Sequence, residues 1–399
     1  MAEARAFFGE RGYLEVETPV LARAGAADAQ LAQFALNDPV LGTLYLQTSP
    51  EYAMKRLIMA GSGSIFQITK AFRQGEVGRF HNPEFTLVEW YGLGYDHRRL
   101  IAEACALIAR LVPSLQASAR IISYRDAFRD ALNIDPIEDP TDRLRAVAYD
   151  CLASARKLTL DDRDEILDLL MSHAVAPGFA TKALTVVTDY PASQASLARL
   201  NAQGLADRFE IYRGSLELAN GFHEASRAEE YAERFAHEAA KRRERGLPSI
   251  DPDHRLLAAL TQGRLPDCAG CALGFDRVLM LAMDAAHIDE VLAYPIAQAK
   301  LASNPGAQSV HMFPYPGATP SISSNGTTNG IVWAIDNSNP AVLYAYDATN
   351  LDKELYDSSQ AANGRDQFGP GNKFITPMIA NGKVFLGTTN GVAVFGLQK

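Results

Sequence analysis

Three stretches hold residues whose types and spacing could do chemistry on a polyanion. The first, Phe72-Arg73-Gln74-Gly75-Glu76-Val77-Gly78-Arg79-Phe80-His81-Asn82-Pro83-Glu84-Phe85, sets an arginine after one apolar run and a polar loop before the next. A guanidinium fixed at a strand end can hold a phosphate through two parallel hydrogen bonds, and a loop carrying Arg and His can close over further phosphates. Phe85, opening the return run, offers an aromatic face to a base. The same residues also suit an exposed hairpin with a solvated tip. The second stretch, Glu217-Leu218-Ala219-Asn220-Gly221-Phe222-His223-Glu224, puts carboxylates at both ends of a strand-like run. Beside phosphates such carboxylates share a Mg²⁺ shell; without phosphates they are the polar ends of a strand. In the third, Gly270-Cys271-Ala272-Leu273-Gly274-Phe275-Asp276-Arg277, glycines permit close backbone approach and Arg277 can meet a phosphate or stack on a purine. Cys268-x-x-Cys271 could hold zinc, but no second Cys or His pair stands at ligand spacing, so zinc is not expected there.

The elements around these stretches are readable from apolar spacing. Residues 1–12 read as a helix end stopped by Gly12, and Tyr13 to Val20 as an extended segment. The chain starts abruptly at this helix, so a truncated N-terminus is expected. After a short strand at Leu44–Leu46, Ser49 can cap a helix whose first position is Pro50, with Glu51 against the positive end of its dipole. Ser64–Phe72 and Glu84–Leu93 alternate as strands, Asp96–Leu111 is helical, and 112–183 reads as a mostly helical insertion. Strands return at Leu184–Thr188, Phe209–Tyr212 and Ser215–Asn220, a charged helix spans 226–246, and Cys268–Met283 reads as loop, then helix.

At 399 residues the chain has room for two or three domains. Apolar and charged contents of 47% and 21% are those of an ordinary globular protein, and a net charge of −9 argues against wrapping nucleic acid by bulk electrostatics. No secretory signal opens the chain, no apolar stretch is long enough to span a membrane, and four cysteines make no disulfide framework, which points to the cytoplasm. From about residue 303 charged helix formers thin out. Short alternating runs such as Ile331–Ile335 and Val384–Leu386 are divided by Asn381-Gly382 and Asn390-Gly391, the pattern of β-hairpins.

Taken in order, the three stretches make residues 1–297 resemble a class II aminoacyl-tRNA synthetase catalytic core of the lysyl type. Gly12-Tyr13-Leu14-Glu15-Val16-Glu17-Thr18-Pro19 is similar to its first motif, Phe72-Arg73 through Glu84-Phe85 to its second, and Gly274-Phe275-Asp276-Arg277 to its third. Thr48–Tyr52, Leu87–Tyr91, Tyr190–Leu197 and Pro266–Cys268 resemble the lysyl-tRNA synthetase paralogues that load (R)-β-lysine onto elongation factor P instead of tRNA. No room precedes the first motif for an anticodon-binding barrel. The implied fold is α+β, an antiparallel sheet flanked by helices. The resemblance implies ATP and Mg²⁺, with Arg73 on the α-phosphate, Phe85 and Arg277 sandwiching adenine, and Gln74, Gly75, Glu76, His81, Asn82, Glu217, Leu218 and Gly274 completing the ATP site. Arg73 and Arg277 would be catalytic, and Glu217 and Glu224 would hold Mg²⁺. Ser49, Glu51, Glu89, Tyr91, Asn220, Glu224 and Ala272 would surround the substrate's amines. Ala272 stands where lysyl-tRNA synthetases have Gly, which would reshape the pocket for a β-amino acid. One departure is plain: the family's second motif has Glu two residues after its Arg, whereas here Gly75 stands there and Glu76 follows. Homodimerisation through the first motif is also implied, and the alternative substrate is tRNA.

Residues 313–399, after a linker at 298–312, resemble a fragment of a quinoprotein-like β-propeller. Gly330-Ile331-Val332-Trp333-Ala334-Ile335-Asp336, Leu343–Asp347 and Asn381–Gly387 carry the likeness. About two blades fit, too few to close a ring. Three readings compete: a true fusion, an open β module that binds a partner beside an inert core, and a junction of two unrelated genes. The junction is favoured, because such propellers are exported.

Overall fold

The computed structural model describes residues 1–29, 31–152, 155–291, 309, 311–313, 318–325, 328–371, 375–380 and 382–396. The chain divides into two compact units, Met1–Pro295 and Ile296–Lys399. Most of the expected 298–312 linker, and Asn381, lie outside the described residues.

The first unit is built on one eight-stranded sheet. In chain order its elements begin with α1 (Ala2–Gly9), β1 (Leu14–Glu15), β2 (Leu21–Ala22), β3 (Ala35–Asp38), β4 (Gly42–Leu46), α2 (Glu51–Met59), β5 (Ile65–Phe72), β6 (Glu84–Leu93) and α3 (His97–Leu111). There follow β7 (Ala119–Ser123), α4 (Tyr124–Leu132), α5 (Thr141–Cys151), α6 (Arg163–Leu170), β8 (Leu184–Tyr190), β9 (Ala206–Arg213), β10 (Leu216–His223), α7 (Ala228–Glu244), α8 (His254–Gln262), β11 (Cys268–Gly274) and α9 (Phe275–Met283). The sheet order is β1-β5-β6-β11-β10-β9-β8-β7. The six inner strands pair antiparallel, and only the edge pairs β1·β5 and β7·β8 run parallel.

Strand alternation explains the two faces. On one, Val88 and Trp90 of β6 and Ala269, Cys271 and Leu273 of β11 pack with Phe7 and Phe8 of α1 and Leu100, Ala104 and Leu107 of α3. At the other, Ile65, Tyr91 and Cys268 pack with Met54 and Ile58 of α2, Tyr231 of α7 and Leu256 of α8. Cys268 and Cys271 therefore belong to different cores. A third core joins α4 and α6 to Val187 and Tyr212, so the insertion packs on the β8–β9 end of the sheet.

Three expectations need correction. Cys268–Gly274 is not a loop but a central strand, bonded to β6 and β10. Its small residues serve close packing: a Cβ on Gly270 would overlap the Tyr91 ring. The expected helical insertion contains β7, whose five residues are too few to show a period among helices. Pro50, not Ser49, holds the position before α2 and has no side-chain cap to give, yet the Ser49 hydroxyl still accepts from the Glu51 N–H at 3.1 Å and donates to Glu89 at 2.7 Å.

The second unit is all β, as its alternating runs predict. One sheet has four antiparallel strands, β12 (Ser321–Asn325), β13 (Thr328–Asp336), β14 (Val342–Asp347) and β15 (Asn350–Asp357), in sequential order. The other has three, β16 (Met378–Ala380), β17 (Lys383–Gly387) and β18 (Val392–Gly396), also sequential. Ile335, Ala341, Leu343, Val384 and Leu386 form its core.

Candidate active site

A cavity of about 1500 Å³ lies over the sheet of the first unit, and 16 of the 18 site residues named from sequence line it; Gln74 and Gly75, in the loop after Arg73, do not border it.

 Strand register explains why so many meet. Gln67, Glu89, Ala272, Asn220 and Glu210 stand abreast on five adjacent strands, and Ile65, Tyr91, Gly270, Phe222 and Arg208 form the next row. Glu217 and Asn220, three positions apart, would face opposite ways on a regular strand. A register shift between Glu217 and Ala219 lets both border the cavity.

One end is basic. Arg73 follows β5, its N–H bonded to the Pro83 carbonyl at 2.9 Å, and its guanidinium lies 5.1 Å from the Phe85 ring centroid. Glu76 is 3.6 Å from it, brought back by a turn in which Gly75 takes φ +82°, a conformation costly for other residues. The buried Arg73 Nε has no hydrogen-bond partner among the described residues, which leaves a donor for an anion. Arg277, in the first turn of α9, donates to the carbonyls of Phe80 at 3.2 Å and Glu217 at 2.8 Å and lies 2.7 Å from His81 Nε2. Phe85 is thus covered by Arg73, while Arg277 pins the loop to β10. Burial and the Arg277 charge hold His81 below its ordinary value. Asn82 spends its amide on the Glu84 carbonyl. Leu218 buries its side chain in the α3-side core and offers only backbone near Gly274.

The other end is acidic. Glu51 and Lys55, four apart on α2, share a helix face, and the Lys55 ammonium sits 2.5 Å from Glu51 and 2.7 Å from Glu224. Glu89 accepts from Ser49 at 2.7 Å and Tyr91 at 2.8 Å. Burial, and then the Glu51 charge, pushes Glu89 up to about 7. Burial pushes Glu224 up to about 8 although Lys55 opposes it. Burial alone would lower Lys55, but Glu224 and Glu51 outweigh it and hold the ammonium charged. Asn220 Oδ1 is buried without a partner among the described residues.

Sequence reading missed Lys55, because a lysine in a helix ordinarily reads as solvated, and Glu210, which lies inside an apolar run. It also paired the wrong carboxylates. Glu217 lies at the start of β10 and Glu224 just past its end, roughly 20 Å apart at the rise of a strand, so one ion cannot take both. Glu210 is the carboxylate that acts on Glu217: burial and then the Glu210 charge raise Glu217.

The tRNA synthetase class II (D, K and N) family model matches residues 1–298. The chain belongs to that family. It is 44% identical over 303 residues to proteins named elongation factor P–(R)-β-lysine ligase from Yersinia pestis (strain Pestoides F) and Yersinia pseudotuberculosis serotype O:1b (strain IP 31758), covering 74% of this chain and 92% of each relative. Among the described residues no helix is long and apolar enough to cross a membrane.

Proposed function

We propose that this chain activates (R)-β-lysine with ATP and transfers it to a lysine ε-amine of elongation factor P. The observation that carries the reading is the acidic end of the cavity. Three buried or half-buried carboxylates, Glu51, Glu89 and Glu224, stand against one ammonium, Lys55, so the fully ionised pocket has a net charge of −2. That matches the two ammonium groups of a diamino acid, which need charged partners once out of water. The names of the relatives supply the particular substrates.

With its amines held there, the substrate carboxylate points toward Arg73. A carboxylate oxygen forms a bond to the α-phosphorus of ATP, the bond to the bridging oxygen breaks, and pyrophosphate leaves. Arg73 offsets charge on the phosphoryl oxygens through its free Nε, and Arg277 keeps the loop over the nucleotide, so positioning and electrostatics supply the catalysis. The ε-amine then attacks the acyl carbon, AMP leaves, and the amine loses a proton as the amide forms. Glu210 and Glu217 both border the cavity, and the Glu210 charge disfavours an ionised Glu217, so Mg²⁺ held by the two would fit there. When bound, the ion would neutralise phosphate charge.

The family supports a homodimer, the cytoplasm as location, and 1–297 as the catalytic domain. The sequential strand order of both sheets in the second unit supports two propeller-type blades. Pyrophosphate exchange tests the reading: rapid exchange with (R)-β-lysine and slow exchange with α-lysine is expected. Exchange driven equally by α-lysine, with tRNA consuming the adenylate, would replace the ligase reading with tRNA charging.

A further inference from the structure

Outside this cavity, His97, Asp207 and His223 bring one ligand atom each to within 4.8 Å of one another. They come from the first turn of α3, the start of β9 and the end of β10. His97 Nδ1 is 3.8 Å from Asp207 Oδ1, and His223 Nδ1 is 3.5 Å from Asp207 Oδ2. These separations are long for hydrogen bonds. Each runs to a different oxygen of Asp207, and an ion with bonds of about 2.0–2.2 Å fits between the carboxylate and the two imidazoles with small side-chain adjustments.

Two further observations point the same way. His97 Nδ1 is buried and has no hydrogen-bond partner among the described residues, although a carboxylate lies just beyond reach. His223 turns its other nitrogen, Nε2, to Asp267 Oδ1 at 3.1 Å. A carboxylate behind a ligating imidazole fixes its tautomer and raises its basicity. Arg199 holds Asp267 from the far side at 2.7 Å, and Asp189 and Asp96 add negative charge around His97.

We propose that His97, Asp207 and His223 form a site for a divalent transition metal of the zinc class. Two imidazoles and one carboxylate are the ligand types such an ion takes, and a ligand-side exposure of 12–13% leaves access for a water in the fourth position. His223 directly precedes Glu224, so the bound ion ties α3 and β9 to the strand end that carries a wall of the substrate pocket. Its role is to brace that strand.

The test uses the untagged full chain, stripped with chelator and equilibrated with Zn²⁺ alone, without nucleotide. Wild type is expected to retain about one equivalent after dialysis. His97→Gln and His223→Gln should each lose it while keeping the wild-type circular dichroism. Asp267→Asn should weaken binding roughly 10-fold or more, because the carboxylate charge behind the His223 ring is lost. Co²⁺ in the wild-type protein should give the visible absorption of a tetrahedral site, which needs no folded variant to read. No retained zinc and no such band, or equal zinc in wild type and both folded histidine variants, would overturn the assignment.

Discussion

Lys55 offers the sharpest perturbation of the acidic pocket. Its side chain is 0% exposed, that of Glu224 is 1% exposed, and the two are 2.7 Å apart. Removing one partner of a buried pair leaves an uncompensated buried charge and costs about 3–5 kcal/mol. Lys55→Met keeps the apolar stem against Tyr231, whose ring centroid lies 5.3 Å from the ammonium, so lost packing contributes little. The variant should therefore lose about 3–5 kcal/mol of unfolding free energy, and Lys55→Met/Glu224→Gln should recover more than half. Urea unfolding at pH 9, where Glu224 is ionised, followed by tryptophan fluorescence reads this directly. The chain has two tryptophans, and Trp90 is fully buried in the first unit, so a Trp333→Phe background makes the signal report that unit alone. A loss below about 1 kcal/mol, or a double variant no more stable than Lys55→Met, would show that Glu224 does not depend on Lys55.

Three other outcomes follow from the same geometry. Arg73→Ala removes the free donor at the basic end and should lower kcat for pyrophosphate exchange by about 10²–10³, with little change in stability; an unchanged kcat would remove Arg73 from the chemistry. Glu89 and Glu224 have folded values of about 7 and about 8, above their ordinary 4.5. Their contribution to stability is therefore full below pH 4.5 and lost as pH rises through about 7 and about 8, while affinity for a diammonium substrate should rise over pH 6–8. Calorimetry at several pH values checks this, and an affinity that falls over that window contradicts it. Gly270→Ala would place a methyl against the Tyr91 ring and 2.5 Å from Glu224, so KM for the amine substrate should rise more than KM for ATP; equal changes would mean a general loss of structure.

What the sequence made legible was local. Arg73, Phe85 and Arg277 sit at strand ends and a helix start whose apolar alternation marks them from the residues alone. Cys268–Gly274 was misread because its small residues lack the β-branched signature of a strand; they are small because Tyr91 and Glu224 crowd them. Lys55 and Glu210 escaped because their roles depend on partners far away in sequence, Glu224 and Glu217. The pairing of Glu217 with Glu224 failed for the complementary reason: six residues of strand separate what seemed a single site. In the second unit the hairpins were readable, since alternation and turns are local, whereas the grouping of strands into separate sheets is not.

The chain is expected to perform one reaction on one acceptor. Elongation factor P incubated with this chain, ATP, Mg²⁺ and (R)-β-lysine should gain the mass of one β-lysyl group on a single lysine, as read by intact-mass and peptide mass spectrometry. The same mixture without ATP should leave it unchanged. Unmodified elongation factor P alongside rapid aminoacylation of tRNA would contradict the account.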